Sequence, residues 1–575
     1  METPILQFET LFKEHQRRAY IRFDSHSHQD RASWKETQAS LDGELDVVHQ
    51  ILEAAAWLLS EIRSRRNQLS PIHHLPNELL SAIFEHARYD AGDPTVYLHS
   101  SQLDTRKPIQ ALLKISGVSR LWRDIIRGCP ALWAALPPPS APELLEIFLA
   151  RSKTAPLEIA SSIAATQPCS LPRYRALLLP HFGRLRVCVL AFSQNLGADD
   201  ISALLASAPA PELERCELYR GKGMEYQGLA SNKLRLSCPP FIDCTPKLCH
   251  LRLEEVGVPL NALVFRELVS LHLFYTEYTA PGSLHQLLCI LELSPRLSEL
   301  RFGGLKFPVL EPTNHPPNAI VKLPCLQVLC MSARVPKNDW ILYLLSHIEI
   351  PATCQSWIRG KIKPGSDLCQ LLPSSSPISV HINQLDFQFG RRDTSWNTVG
   401  GYISGQTHRA VAAVFQGNRE DTELIQRVVL NLDSVLPMPL LDSIILSSQI
   451  DVMEPALILA LAEFLRSHPT IDAITLVDSA VQLLELLVVT PGRILCPLLD
   501  TLYLEGDDGN SEPVGESMLL EVVKSRTNRD DSGVPEHLQH VTYTRSKPLS
   551  PLTTSALREL VTLELESDLE SETSD

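Results

Sequence analysis

Cys238, Cys244 and Cys249, followed at once by His250, are the residues of this 575-residue chain that come nearest to a metal-binding set. Thiolate and imidazole ligands hold zinc when they arrive as close pairs, Cys-x-x-Cys above all, and these four form no such knuckle. Cys249 also falls inside an apolar segment, where a thiol behaves as a small hydrophobe. His73-His74 stands just before a helical pattern and suits a loop or a cap better than a ligand pair. Gly506-Asp507-Asp508-Gly509-Asn510 carries two carboxylates, but a calcium loop needs its oxygens at alternating positions, so this run reads as a turn. Phosphate loops, dinucleotide fingerprints, His-Glu-x-x-His and Gly-x-Ser-x-Gly elbows do not occur in the sequence. The expectation is a non-catalytic chain without cofactor or metal.

What remains is the chemistry of contact. Leu75-Pro76-Asn77-Glu78-Leu79-Leu80-Ser81-Ala82-Ile83-Phe84 opens with a proline suited to a first helical turn, then an anion where the helix dipole favours one. Leu75, Leu79, Leu80, Ile83, Phe84 and Ala87 make one broad apolar face. Further on, Leu112, Ile115, Val118, Leu121 or Trp122, and Ile125 make a second stripe, and Pro130-Ala131-Leu132-Trp133 closes the segment. Two short amphipathic helices cannot bury both faces on each other, so a partner surface is expected.

These three pieces, in this order, resemble the F-box, in the F-box-like form common in large families of mushroom-type fungi. The family pattern runs Leu-Pro-x-Glu-Leu/Ile-Leu/Ile, Ile-Phe, then Val-Cys-Arg/Lys-x-Trp-Arg, then Pro-x-Leu-Trp. The chain departs from it twice. Ser119 stands where Cys is usual, and an insert over 89–108 separates the first helix from the second. The resemblance covers about sixty residues. It implies a domain over 71–136 that docks a Skp1-like adaptor, and through it a cullin, through Leu75, Pro76, Leu79, Ile83, Val118 and Trp122. It further implies the substrate-recognition adaptor of an SCF-type (Skp1–cullin–F-box) ubiquitin ligase, directing ubiquitin-dependent degradation of a protein substrate that the sequence does not name. Leu132 and Trp133 are expected to pin the third element. The alternative is a repeat-based interaction scaffold with no part in ubiquitination.

From residue 143 the sequence changes character. The pattern Leu-x-x-Leu-x-Leu, with other apolar residues allowed, recurs at Leu185/Cys188/Leu190, Leu213/Cys216/Leu218, Leu248/Leu251/Leu253 and Leu268/Leu271/Leu273. It returns at Leu297/Leu300/Phe302, Leu326/Leu329/Met331, Ile382/Leu385/Phe387, Leu441/Ile444/Leu446, Ile471/Ile474/Leu476, Leu499/Leu502/Leu504 and Leu538/Val541/Tyr543. The intervals cluster at about 28 to 30 residues, with a few outliers either side and two long gaps close to twice that, and with helical stretches between they are the arithmetic of leucine-rich repeats. The signature Asn or Cys after each strand is irregular, and the pattern fades over 351–430, so the region is leucine-rich-repeat-like. In such a solenoid, residues alternating with the inward leucines face a partner: here Arg252, Glu254, His272, Glu299, Arg301, Val328 and Tyr503.

The elements ahead of these sites set the rest. Leu41, Leu45, Val48, Leu52, Ala55, Leu59, Ile62 and Leu69 follow alternating four-and-three spacing, about four heptads interrupted by Arg66. This predicts an amphipathic helix or short coiled coil over 35–70, packed in cis on the helices that follow or pairing weakly. Residues 1–34 have no clear period, 137–142 are a proline-rich linker, 143–550 hold the repeats, and 551–575 read as an acidic, disordered tail. A helix is expected from Glu143 to Lys153. The fold class is a multidomain α plus α/β chain: helix or coiled coil, small helical F-box, then α/β solenoid. A net charge of −15 argues against nucleic acid as the partner, because phosphate contacts need clustered cations. Without a secretory signature or an apolar run of spanning length, a soluble cytoplasmic or nuclear protein is expected, binding no membrane. Its thirteen scattered cysteines are read as reduced.

Overall fold

The computed structural model describes residues 13, 31–90, 106–163, 170–220, 234–308, 320–333, 339–373, 382–448, 453–477, 481–506, 515–527, 538–545 and 548–565, apart from single positions and the short stretches 394–397, 407–410 and 419–420. The segments 1–12, 14–30 and 566–575, the middle of the expected insert (91–105) and Asp507–Asn510 lie outside the described residues. The described chain is mixed α/β and divides into two compact units. One holds 31–90, 106–135 and 147–155, and the other holds 136–146 and 156–565. Among the described residues no helix is long and apolar enough to cross a membrane.

The first unit is helical. Helix α1 (Arg31–Gln68) is followed by a tight turn at Pro71–His74, then α2 (Asn77–Asp90), α3 (Arg106–Ser116) and α4 (Arg120–Gly128). The core takes Leu80, Phe84, Leu112, Ile125, Ile126, Leu132 and Trp133. Helix α1 begins at Arg31, so the segment 31–34 that shows no period in the sequence is already helical. Packing of its apolar stripe in cis is not what the structure has. Leu41, Leu45, Val48, Leu52, Leu59, Ile62 and Leu69 all stay exposed. The helix is held near its C-terminal end instead, where Asn67 Nδ2 donates to the Val118 carbonyl at 3.0 Å and Arg120 meets Glu61 at 3.3 Å.

The proline run is no loose linker. Pro137 and Pro139 are buried, and the Pro137 carbonyl accepts from the Tyr174 hydroxyl at 3.2 Å. Consecutive prolines fix φ and have no N–H to satisfy, so they can be buried cheaply as stiff backbone. The units divide at 135/136, at the start of this run, and again inside helix Pro142–Ser152.

The second unit is built on one large sheet. Strands β1 (Leu157–Ile163), β2 (Leu185–Phe192), β3 (Arg215–Arg220), β4 (His250–Glu254), β5 (Ser270–Phe274), β6 (Glu299–Gly303), β7 (Val328–Ser332) and β8 (Gln355–Lys361) pair in sequence order, each parallel to the next. Register stacks like on like: Leu190, Leu218, Leu253, Leu273, Phe302, Met331 and Ile358 form one inward row across these strands. All seven are buried, so each strand covers its neighbour's apolar side chain as well as its own.

The order then reverses. Strand β8 pairs not with β9 (Gln384–Asp393) but with β11 (Val411–Asn418). Strand β10 (Thr398–Gln406) lies antiparallel between β9 and β11, and β9 passes the sheet on to β12 (Ser443–Ser448). Sequential parallel pairing resumes through β13 (Ala473–Val477), β14 (Thr501–Gly506), β15 (His540–Arg545) and β16 (Thr562–Leu565). The fading of the leucine pattern over 351–430 thus marks an antiparallel insert within a parallel sheet.

Helices such as Ala198–Leu205, Ser283–Glu292, Leu424–Val435, Pro455–Ser467 and Glu516–Thr527 fill the intervals. Buried Arg526 on the last of these donates to the carbonyls of Leu487, Leu495 and Cys496, while burial draws its guanidinium down to about 10. The ordered sheet also runs past residue 550. Pro551–Arg558 is a helix capped by Ser550, and β16 completes the edge, so the tail expected from 551 is folded as far as Leu565. Its Val561, Leu563 and Leu557 are buried, which a solvated acidic tail does not offer.

Candidate interaction surfaces

On α2 two adjacent leucines part company. Leu80, Phe84 and Arg88 turn inward, and Arg88 donates to the carbonyls of Ala131 and Leu132 at 3.3 and 3.0 Å, fastening the turn that follows α4. Leu79 and Ile83, four residues apart on the other side, are 53% and 42% exposed. Pro76 and Val118 are exposed as well, whereas Leu75 is half-buried.

Trp122 differs from the rest of the set. Its ring lies 4.8 Å from Phe84 and 6.0 Å from His73, centre to centre, so it joins α4 to α2 and to the turn before it. Its indole N–H is buried and meets no acceptor among the described residues. Trp133 is likewise internal: Nε1 donates to the Ile126 carbonyl at 2.7 Å, Phe148 meets the ring edge-on at 4.9 Å, and the Arg151 guanidinium sits 4.3 Å above it. Ser119 has a role the sequence reading missed. Its hydroxyl accepts from the Trp122 backbone N–H at 3.1 Å and caps α4, which explains a hydroxyl at this position. Leu113 and Leu121 add exposed apolar area that the motif pattern does not identify.

The second surface is the outward face of β3 to β6, built from the residues that alternate with the buried row. Register brings Glu217, Arg252, His272 and Arg301 into one line, with Tyr219, Glu254, Phe274 and Gly303 in the next. Glu217, almost wholly buried, accepts from Arg215 and from the Tyr219 hydroxyl. Burial and the Glu217 charge push the Tyr219 phenol well above its ordinary range. Arg252 lies 5.2 Å from the Tyr219 ring centre and 5.1 Å from that of Phe274, and pairs with Glu254 at 3.2 Å. The Arg252 side chain is only 12% exposed, and its buried Nε meets no acceptor among the described residues.

Beside it, Glu299 meets His272 Nε2 at 3.3 Å and accepts from Arg301 at 2.5 Å. The His272 hydrogen bond first, and the Arg301 charge after it, hold the Glu299 carboxyl down at about 2. Burial, with Arg215 nearby, lowers His250. Gly303 makes the neighbouring aromatic packing possible, because a Cβ there would lie 2.7 Å from Cδ1 of Phe274.

Of the residues expected on this face, Arg252, Glu254, His272, Glu299 and Arg301 come together, with Val328 on the next strand. Tyr503 does not join them, standing in register with Thr475 and Thr542 on β13 and β15. Glu217, Tyr219 and Phe274 were missed, although alternation with Cys216, Leu218 and Leu273 marks them equally.

Cys238 and Cys244 are exposed, while Cys249 Sγ turns to the Glu214 carbonyl. Among the described residues no cluster of His, Cys, Asp and Glu is placed to hold a metal. The sequence matches no protein-family model and no curated protein.

Proposed function

We propose that the chain is a substrate-recognition adaptor of an SCF-type ubiquitin ligase, its F-box-like helical unit docking a Skp1-like adaptor and its leucine-rich-repeat-like sheet unit holding a protein substrate. The observation that carries this reading is the pair Leu79 and Ile83. A unit with a closed core leaves two large apolar residues of the motif helix in water, and apolar area of that kind is characteristic of a docking face. The chain itself breaks no bond in this reading. It raises the effective concentration of a substrate lysine near the charged ubiquitin carrier. The stacked Arg252 with Tyr219 and Phe274 supplies the kind of aromatic and arginine anchor that dominates protein recognition.

The test is co-expression with the host's Skp1, followed by pull-down of wild type, Leu79→Glu and Ile83→Glu. Retention by wild type and its loss in both variants, with unchanged melting, supports docking. A folded wild type that retains no Skp1 would refute the ligase reading and favour a repeat-based scaffold. Trp122→Ala is unsuitable for this test, because that ring packs on Phe84 and its removal costs about 3 kcal/mol of fold stability.

A further inference from the structure

We propose that α1 is a self-association element, through which two copies of the chain pair as an antiparallel coiled coil. The inference stands apart from the adaptor reading, since neither Skp1 nor a substrate takes part in it.

The seam has heptad spacing, with Leu45, Leu52 and Leu59 at a positions and Leu41, Val48, Ala55 and Ile62 at d. Its large members are 43% to 60% exposed. Of the two ways a second copy can lie on this stripe, one fits. In an antiparallel pair each a residue faces a d residue of the other chain. Leu45 then lies opposite Ile62 of the second copy, Leu52 opposite Ala55, and Leu59 opposite Val48. Every central layer is apolar, and two-fold symmetry repeats each of them. Arg66, the break in the stripe, moves out to an end layer, opposite Leu41.

The flanking charges choose the same register. Asp42 and Arg63 border the seam on one side, each directly after a d residue, and antiparallel pairing sets Asp42 of one copy beside Arg63 of the other. Glu44 and Arg65, on the opposite border and each directly before an a residue, meet in the same way. A parallel pair in register would instead set Glu44 across from His49 and Arg63 across from Leu58, leaving these charges without opposite partners, and would put Arg66 against Arg66 within the seam. In the single chain Arg65 touches Glu61 at 3.5 Å with its side chain 77% exposed, a contact water screens and pairing can replace.

The experiment is sedimentation equilibrium of the full chain at low salt, over roughly 1 to 100 µM, the range expected of a seam only about four heptads long. The mass is expected to rise from 64.1 kDa toward twice that value. Leu52→Glu should abolish the rise while leaving the helical circular dichroism intact. The double reversal R63E/R65E should weaken association about tenfold or more, and adding D42R/E44R to the same chain should restore it. In a parallel pair neither Arg63 nor Arg65 has a charged partner across the seam, so R63E/R65E gives no such loss. A monomer at the highest concentration overturns the proposal, and so does a dimer that survives Leu52→Glu. A dimer indifferent to R63E/R65E overturns the antiparallel arrangement.

Discussion

The helical unit and the sheet unit treat apolar side chains in opposite ways. Along β2 to β8 almost every large apolar residue of the inward row is covered by the strand beside it, and polar and aromatic groups occupy the outward face. In the helical unit Leu79, Ile83, Leu113 and Val118 remain in water, and so does most of the α1 stripe. In a parallel sheet each strand finds its hydrophobic partner in the next strand, whereas short helices run out of neighbours within their own unit. The two surfaces accordingly suit different tasks. Exposed leucines give affinity with little directionality, while a fixed row of charges and rings discriminates between partners.

The sharpest way to break this contrast is to truncate one leucine from each unit. Leu300 is fully buried between Leu271 and Leu329, and Leu300→Ala should cost about 3 kcal/mol in urea unfolding. Leu79→Ala should change the same measurement by less than about 0.5 kcal/mol. Equal losses would mean that the two units do not differ as described.

Gly303→Ala probes the outward face. The added methyl would press on the Phe274 ring that stacks with Arg252, and a loss of about 1 to 3 kcal/mol is expected in the same assay. The Skp1 docking proposed for the helical unit should be untouched.

The pH response separates two kinds of carboxylate within the sheet unit. Glu299 titrates at about 2, below its ordinary range, so its contribution is complete above the usual carboxylate range near 4.5 and is lost as pH falls toward 2. Solvent screening reduces that contribution to about 1 kcal/mol. Comparing wild type with Glu299→Gln in urea at pH 5 and at pH 2.5 should show the difference between them shrink on the acid side. Asp472 behaves in the opposite sense. Burial, and then Asp442 and Asp500 beside it, raise its carboxyl, so its ionised form costs stability that is recovered as pH falls. Asp472→Asn should therefore raise the free energy of unfolding at pH 7 slightly, by about a few tenths of a kcal/mol in urea unfolding.

The strands were legible in the sequence where the leucine motif marks them: the second and third positions of every motif, from Cys188/Leu190 to Val541/Tyr543, fall on a strand, whereas Leu157–Ile163, Val411–Asn418 and Thr562–Leu565, outside the motif, were missed. Gln355–Lys361 and Thr398–Gln406 were not legible. The first has no leucine, and Gly400, Gly401 and Gly405 in the second read as a turn rather than a strand interior. Parallel and antiparallel strands also share one alternation, so the reversal could not be foreseen. For the candidate sites, Leu79 and Leu80 are neighbours with the same chemistry, and only the packing of Phe84 and Arg88 decides which one faces water. The stripe on α1 told of a missing partner but not that the partner is absent from its own unit.

The reversal at β9 to β11 carries a kinetic consequence. On either side of it each strand closes onto the one just made, a short excursion of chain with a modest entropic cost. To extend β8, however, the chain must first lay down β9 and β10 and return with β11, so Lys361 waits for Gln416. Long-range closures of this sort govern folding speed. Refolding of the sheet unit should accordingly show two phases: a fast one in which the flanks form separately, and a slow one in which β11 docks and joins them.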